Sequence, residues 1–151
     1  MVAGTYVDPS SPTGNEIPYA AVMDNNQTTP TISLPATYSH KTTTGSLHAI
    51  SCVRGSTVWC VAVGSFIDNK ADAKNVGVGR TMGFGVTFKP DRTGVVGATS
   101  SAAFGLPTNA TYNPSVSMTQ ISCASVGNCT AIGQYNGNRG TTNGFAISMV
   151  S

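Results

Sequence analysis

Ile50-Ser-Cys-Val-Arg-Gly-Ser-Thr-Val-Trp-Cys-Val-Ala-Val-Gly-Ser-Phe66 returns further along the chain, shortened by two residues, as Ile121-Ser-Cys-Ala-Ser-Val-Gly-Asn-Cys-Thr-Ala-Ile-Gly-Gln-Tyr135. Each copy reads as a strand ending in Ser-Cys, a short loop, and a second strand that starts at Cys with alternating small and apolar residues. The pair of copies decides the fold class.

Working outward, the repeat is longer than the cysteine motif. A strand running through glycine into an aromatic occurs at Val2–Asp8, Ala62–Asp68 and Ala131–Asn136. After a polar loop of variable length a second strand opens on an aromatic, at Tyr19–Met23, Phe84–Phe88 and Phe145–Met149. A short apolar element then closes on Leu34-Pro35 and Leu106-Pro107, and the strand into Ser-Cys follows, at Leu47–Cys52 and Met118–Cys123. Period-two alternation suits half-buried antiparallel strands. Four short strands in about 60 to 70 residues is the size of a propeller blade. The expectation is a single all-β domain over residues 1–151, made of about two and a half antiparallel, β-propeller-like units: 2–60, 61–129 and a partial 130–151. A β-sandwich of the same strands is the alternative, because strand pattern does not fix how sheets stack. Repeat units need neighbours on both sides, so two and a half of them predict apolar end faces. These would be covered by another chain (a second copy or a larger assembly), by the two ends of this chain pairing, or by further sequence.

Cys52 with Cys60 and Cys123 with Cys129 stand at equivalent places, with seven and five residues between them. Zinc ligands come as tighter pairs that converge. A disulfide across the neck of each hairpin is the more natural reading, and it points to an oxidising compartment. The unit Ser-Cys, five to seven residues, Cys-x-Ala-Val/Ile-Gly, carried by Ser51, Cys52, Cys60, Ala62, Val63, Gly64 and by Ser122, Cys123, Cys129, Ala131, Ile132, Gly133, resembles repeats in secreted bacterial proteins that look like β-propellers. The resemblance implies a fold and a location, extracellular, cell-surface or periplasmic. The long stretches between repeats and the lack of Asp-Gly-Gly-x-Trp-type turns depart from that pattern.

Composition agrees with the class. Of 151 residues only 9% are charged and 40% are apolar, with 17 Gly and 8 Pro breaking any helical run. No apolar run is long enough for a transmembrane helix, and Met1-Val-Ala-Gly-Thr-Tyr6 lacks the regions of a signal peptide, so the sequence reads as a mature or excised region. The eight Lys and Arg give a net charge of +2 and are scattered. Five lie between Lys70 and Arg92, diluted by Asp72 and Asp91, which reads as a solvated loop and not a nucleic-acid interface.

Chemistry is sparse. The six carboxylates are Asp8, Glu16, Asp24, Asp68, Asp72 and Asp91. Asp8 and Asp68 share a repeat position with Asn136, where a turn-forming role competes with ligand binding or, at the outside, paired carboxylates for glycoside cleavage. His40 and His48 have no nucleophile elbow to partner. Gly77-Val-Gly-Arg-Thr-Met-Gly83 lacks the strand-to-helix context of a phosphate loop. The reading is therefore a non-enzyme without cofactor or metal: an adhesive or lectin-like binding module taking a glycan or a protein. Its recognition loops would run from Pro9 to Pro18, Asn69 to Gly83 and Gly137 to Gly144, with Trp59, Asp8, Asp68 and Asn136 as ligand-binding candidates. Trp59, the only tryptophan, either stacks on a ligand or packs beside the disulfide. A structural subunit of a larger extracellular or cell-envelope assembly is the alternative.

Overall fold

A computed structural model describes residues 2–7, 16–21, 44–55, 58–68, 79–90 and 96–150. It is all-β and antiparallel, with nine strands and no helix among the described residues. Strands β1 (Val2–Val7) and β2 (Glu16–Ala21) pair as one sheet. Strands β3 (Gly45–Arg54), β4 (Val58–Asp68), β5 (Arg80–Pro90) and β6 (Val96–Ala103) form a second sheet in sequence order. Strands β7 (Ser117–Ser125), β8 (Asn128–Asn136) and β9 (Thr142–Val150) form a third, also in sequence order. The hairpin and the two meanders pack against one another, and the described strands do not close into a ring.

The sheets are phased differently from units cut at 60 and 129. Both strands of each cysteine hairpin share a sheet, and the breaks fall instead between Ala21 and Gly45 and between Ala103 and Ser117. The physical reason is legible in the second break. Residues 104–116 contain Gly105, Pro107 and Pro114, and a proline has no N–H to give a ladder. This connector bonds to other strands one group at a time: Phe104 N donates to the Gly83 carbonyl (2.9 Å), Val116 N to Thr81 (3.0 Å) and Thr111 N to Asn136 (3.0 Å). The cysteine loops, by contrast, are too short to leave a sheet. Gly127, at φ 74°, takes the left-handed turn that closes the second one.

The repeat holds in three dimensions. Cys52 faces Cys60 across the second sheet and Cys123 faces Cys129 across the third, and each pair is bonded, with Cα atoms 4.0 Å apart. Gly4 stands opposite Tyr19, Gly64 opposite Phe84, and Gly133 opposite Phe145. Phe66 meets Phe84 edge-on at 5.7 Å, and Tyr135 meets Phe145 likewise at 5.7 Å. Packing between sheets repeats as well: β1 and β2 lie against β3 as β4 and β5 lie against β7.

Burial follows from this stacking. β4 is buried along nearly its whole length, the mark of a strand with sheets on both faces. Its even face carries Cys60, Ala62 and Phe66 into a cluster with Phe84, Val86 and Phe88. Its odd face carries Trp59, Val61 and Val63 against the third sheet, where they meet Cys129, Met118 and Ala131.

Reducing or replacing either cystine is expected to cost about 2 to 3 kcal/mol, because each closes a short loop in the unfolded chain. The Cys52→Ser/Cys60→Ser and Cys123→Ser/Cys129→Ser variants should lower the urea midpoint by similar amounts. Equal midpoints in all three proteins would remove the bonds from the stability account.

Candidate functional site

The third sheet turns its aromatic face inward and shows its other face to solvent. Along β8, Cys129, Ala131 and Tyr135 are buried, whereas Asn128, Thr130, Ile132 and Gln134 are exposed. Neighbouring strands extend this face in cross-strand rows, Ser122–Thr130–Ser148 and Gln120–Ile132–Ala146. By repeat position these residues correspond to the odd face of β4. Trp59 becomes Asn128, Val61 becomes Thr130 and Ser65 becomes Gln134. Two of these exchanges, Trp59 to Asn128 and Val61 to Thr130, put a polar side chain in the place of an apolar one. The expectation of an apolar face is corrected for this sheet: its solvent-facing side is mostly polar, with Ile132 at 41% exposure and Ala146 beside it.

At the edge of that face lies an open groove of about 570 Å³. It follows the seam between β3 and β7, the first strands of their sheets. Two side-chain bonds hold the seam. His48 Nδ1 lies 2.9 Å from the Met118 carbonyl, and Cys123 N donates to Ser51 Oγ at 3.1 Å. Between them Ala49, Ile50, Ile121 and Ile132 supply an apolar floor, and Gln120, Ser122 and Thr130 supply amide and hydroxyl groups. The lining is uncharged. Hydroxyls and amides both donate and accept, so the groove suits a neutral ligand with polar edges and apolar faces.

Of the residues expected to bind a ligand, Trp59 and Asp68 stand at opposite ends of β4. Trp59 is 5% exposed and packs with Val61 and Cys129 beside the cystine, which favours the packing reading over ligand stacking. Asp68 is fully buried, with Oδ2 2.7 Å from Arg80 Nη2. It sits at the far end of β4 from Trp59, roughly 30 Å away for nine residues of extended strand. Asn136 is half-buried at the matching end of β8, and its main chain anchors the connector, donating to the Pro114 carbonyl and accepting from Thr111. Asp8, and the greater part of the Pro9–Pro18 and Asn69–Gly83 loops, lie outside the described residues. In the third loop Gly137 N donates to the Thr141 carbonyl at 2.8 Å and Gly140 N to Gly137 at 3.0 Å.

Sequence reasoning passed over the groove because its residues are individually bland. The signal was the comparison of outward positions between repeats, where Val61 to Thr130 and Trp59 to Asn128 mark a change from buried to solvent-facing. No protein-family model matches this chain, and no curated protein or solved structure is significantly similar to it.

Proposed function

We propose that the chain is a non-enzymatic binding module of an extracytoplasmic space, extracellular, cell-surface or periplasmic, and that it takes a neutral carbohydrate in the groove between β3 and β7. The observation that carries this is the lining: an aliphatic floor from Ile50, Ile121 and Ile132 beside the uncharged donors and acceptors of Gln120, Ser122 and Thr130. Saccharides pair apolar ring faces with hydroxyl edges, and such a surface answers both. The two cystines support an oxidising location. The repeated relation between successive sheets supports reading them as propeller-like blades.

A glycan array tests the proposal. Binding to a defined set of neutral glycans is expected, with affinity about 5- to 150-fold weaker in Gln120→Ala/Thr130→Ala, since loss of two ligand hydrogen bonds is worth roughly 1 to 3 kcal/mol. Both side chains are exposed, so the melting temperature should not move. Binding that survives the double substitution would place recognition elsewhere.

A second reading, a structural subunit of an envelope assembly, rests on Ser122. Its repeat partner Ser51 accepts the Cys123 N–H of the next sheet. Ser122 offers the same hydroxyl on an exposed face. Under this reading light scattering gives a discrete oligomer whose mass falls to a monomer's in Ser122→Tyr.

A further inference from the structure

Beyond the groove, the seam holds a serine and a histidine in a defined protonation pattern. His48 Nδ1 lies 2.9 Å from the Met118 carbonyl oxygen, which can only accept. In neutral His48 the ring proton is therefore on Nδ1, and the lone pair is on Nε2. Nε2 lies 2.6 Å from Ser46 Oγ, so the Ser46 hydroxyl donates to it. The β-bulge between Leu47 and Ala49 falls at His48, and such bulges re-aim a side chain at the edge of a sheet. A hydroxyl, a base in hydrogen-bond reach, and an acceptor that fixes the base's tautomer are the three parts of an activated nucleophile. Here a main-chain carbonyl stands where a carboxylate is more often found.

A small pocket of about 180 Å³ adjoins this pair, lined by Ser46 with Thr44, Ser65, Phe66 and Thr81. Ser65 stands directly opposite Ser46 across β3 and β4. The pocket has room for a short acyl group, and Thr44, Ser65 and Thr81 bring hydroxyl-bearing residues to its lining.

We infer that Ser46 is a nucleophilic acyl acceptor, with His48 as its general base, toward esters of short-chain acids. In the step, Ser46 Oγ attacks the ester carbonyl carbon while its proton passes to His48 Nε2. The bond from that carbon to the leaving oxygen then breaks, and the leaving oxygen takes the proton from His48 and departs as the alcohol. Ser46 is left acylated, and the Met118 carbonyl holds Nδ1–H throughout. The inference does not rest on carbohydrate binding, which uses other residues.

The test is acetylation by p-nitrophenyl acetate, followed by intact mass and peptide mapping. A single acetyl group on Ser46 is expected, absent in Ser46→Ala. His48→Asn keeps an amide N–H in the place of Nδ1 for the Met118 carbonyl but has no base, so its Ser46 acetylation should be at least about 100-fold slower, the usual worth of a general base. Acetyl groups spread over lysines and other serines without preference for Ser46, or an unchanged Ser46 rate in His48→Asn, would overturn the inference. Nitrogen NMR of the ring gives a readout that a purely structural pair need not satisfy at both atoms. Nδ1 should carry the proton and Nε2 should be bare; the opposite tautomer refutes the assignment.

Discussion

Gly64→Ala should be among the most damaging single-atom additions this protein can receive, costing about 3 kcal/mol or more of unfolding free energy. A Cβ built on Gly64 overlaps the Ser46 carbonyl oxygen and comes within 2.9 Å of Leu47 Cα. These are main-chain atoms of β3, which cannot rotate away as a side chain would. The crowding comes from the bulge: Leu47 is opposite Gly64, and the register slips immediately afterwards, leaning β3 over β4. The same device recurs in the third sheet, where Met118 is opposite Gly133 before a slip to Gln120. There the contacts are looser, with the Ser117 carbonyl at 2.6 Å and the flexible Met118 Sδ at 3.0 Å. Gly133→Ala should therefore cost less, on the order of 1 to 2 kcal/mol. Gly105→Ala, which meets nothing within 4 Å, serves as the neutral control. Urea titration of the three variants checks the ranking. A Gly64→Ala protein within 1 kcal/mol of the parent would mean that β3 does not lean over β4 as described.

That bulge also shows how far the sequence could be read. The Gly-x-aromatic strand and the aromatic that opens its neighbour were legible because every copy repeats them. The third sheet gives a physical reason: Gly133 leaves room for the adjoining strand, and the cross-strand Phe145 ring lies 3.1 Å from where a Cβ would stand. The cystines were legible from equivalent spacing alone. The phase of the sheets was not. Alternation with period two marks strands but says nothing about where one ladder stops, and that was settled by Pro107, Pro114 and single bonds such as Val116 N to the Thr81 carbonyl. The candidate site was legible only in part. The groove and the Ser46–His48 pair depend on β3 lying beside β7, some 70 residues apart in sequence, and no local pattern encodes that. Trp59 attracted notice as the only tryptophan and Asp68 as a carboxylate at a repeated position. Both proved to be buried.

Asp68→Asn is expected to destabilise the protein by about 3 kcal/mol, at the lower end of the range for breaking a buried ion pair. The carboxylate has no exposed surface, and Arg80, 22% exposed, reaches it at 2.7 Å. Tyr112 lies 5.1 Å from the same guanidinium, so the cation is held between a carboxylate and a ring face. Among the described residues Arg80 Nε is buried without a hydrogen-bond partner, which leaves the guanidinium more dependent on Asp68. The two residues are cross-strand partners at the ends of β4 and β5, where they clamp the entry and exit of the segment between 68 and 80. Partial exposure of Arg80 is the reason to expect the lower end of the range, because water already shares its solvation. Arg80→Met alone should also be harmful, since it removes the cation that faces the buried Asp68 carboxylate. The double variant Asp68→Asn/Arg80→Met should recover much of the loss, as replacing both partners of such a pair often costs little. Expressed as a double-mutant cycle, the coupling should fall between about 1 and 3 kcal/mol. It should persist when the salt concentration is raised, because buried charges are poorly screened. Strict additivity of the two single substitutions, or a coupling that vanishes in high salt, would show that the pair behaves as an exposed surface contact and that some other interaction holds the base of the segment together.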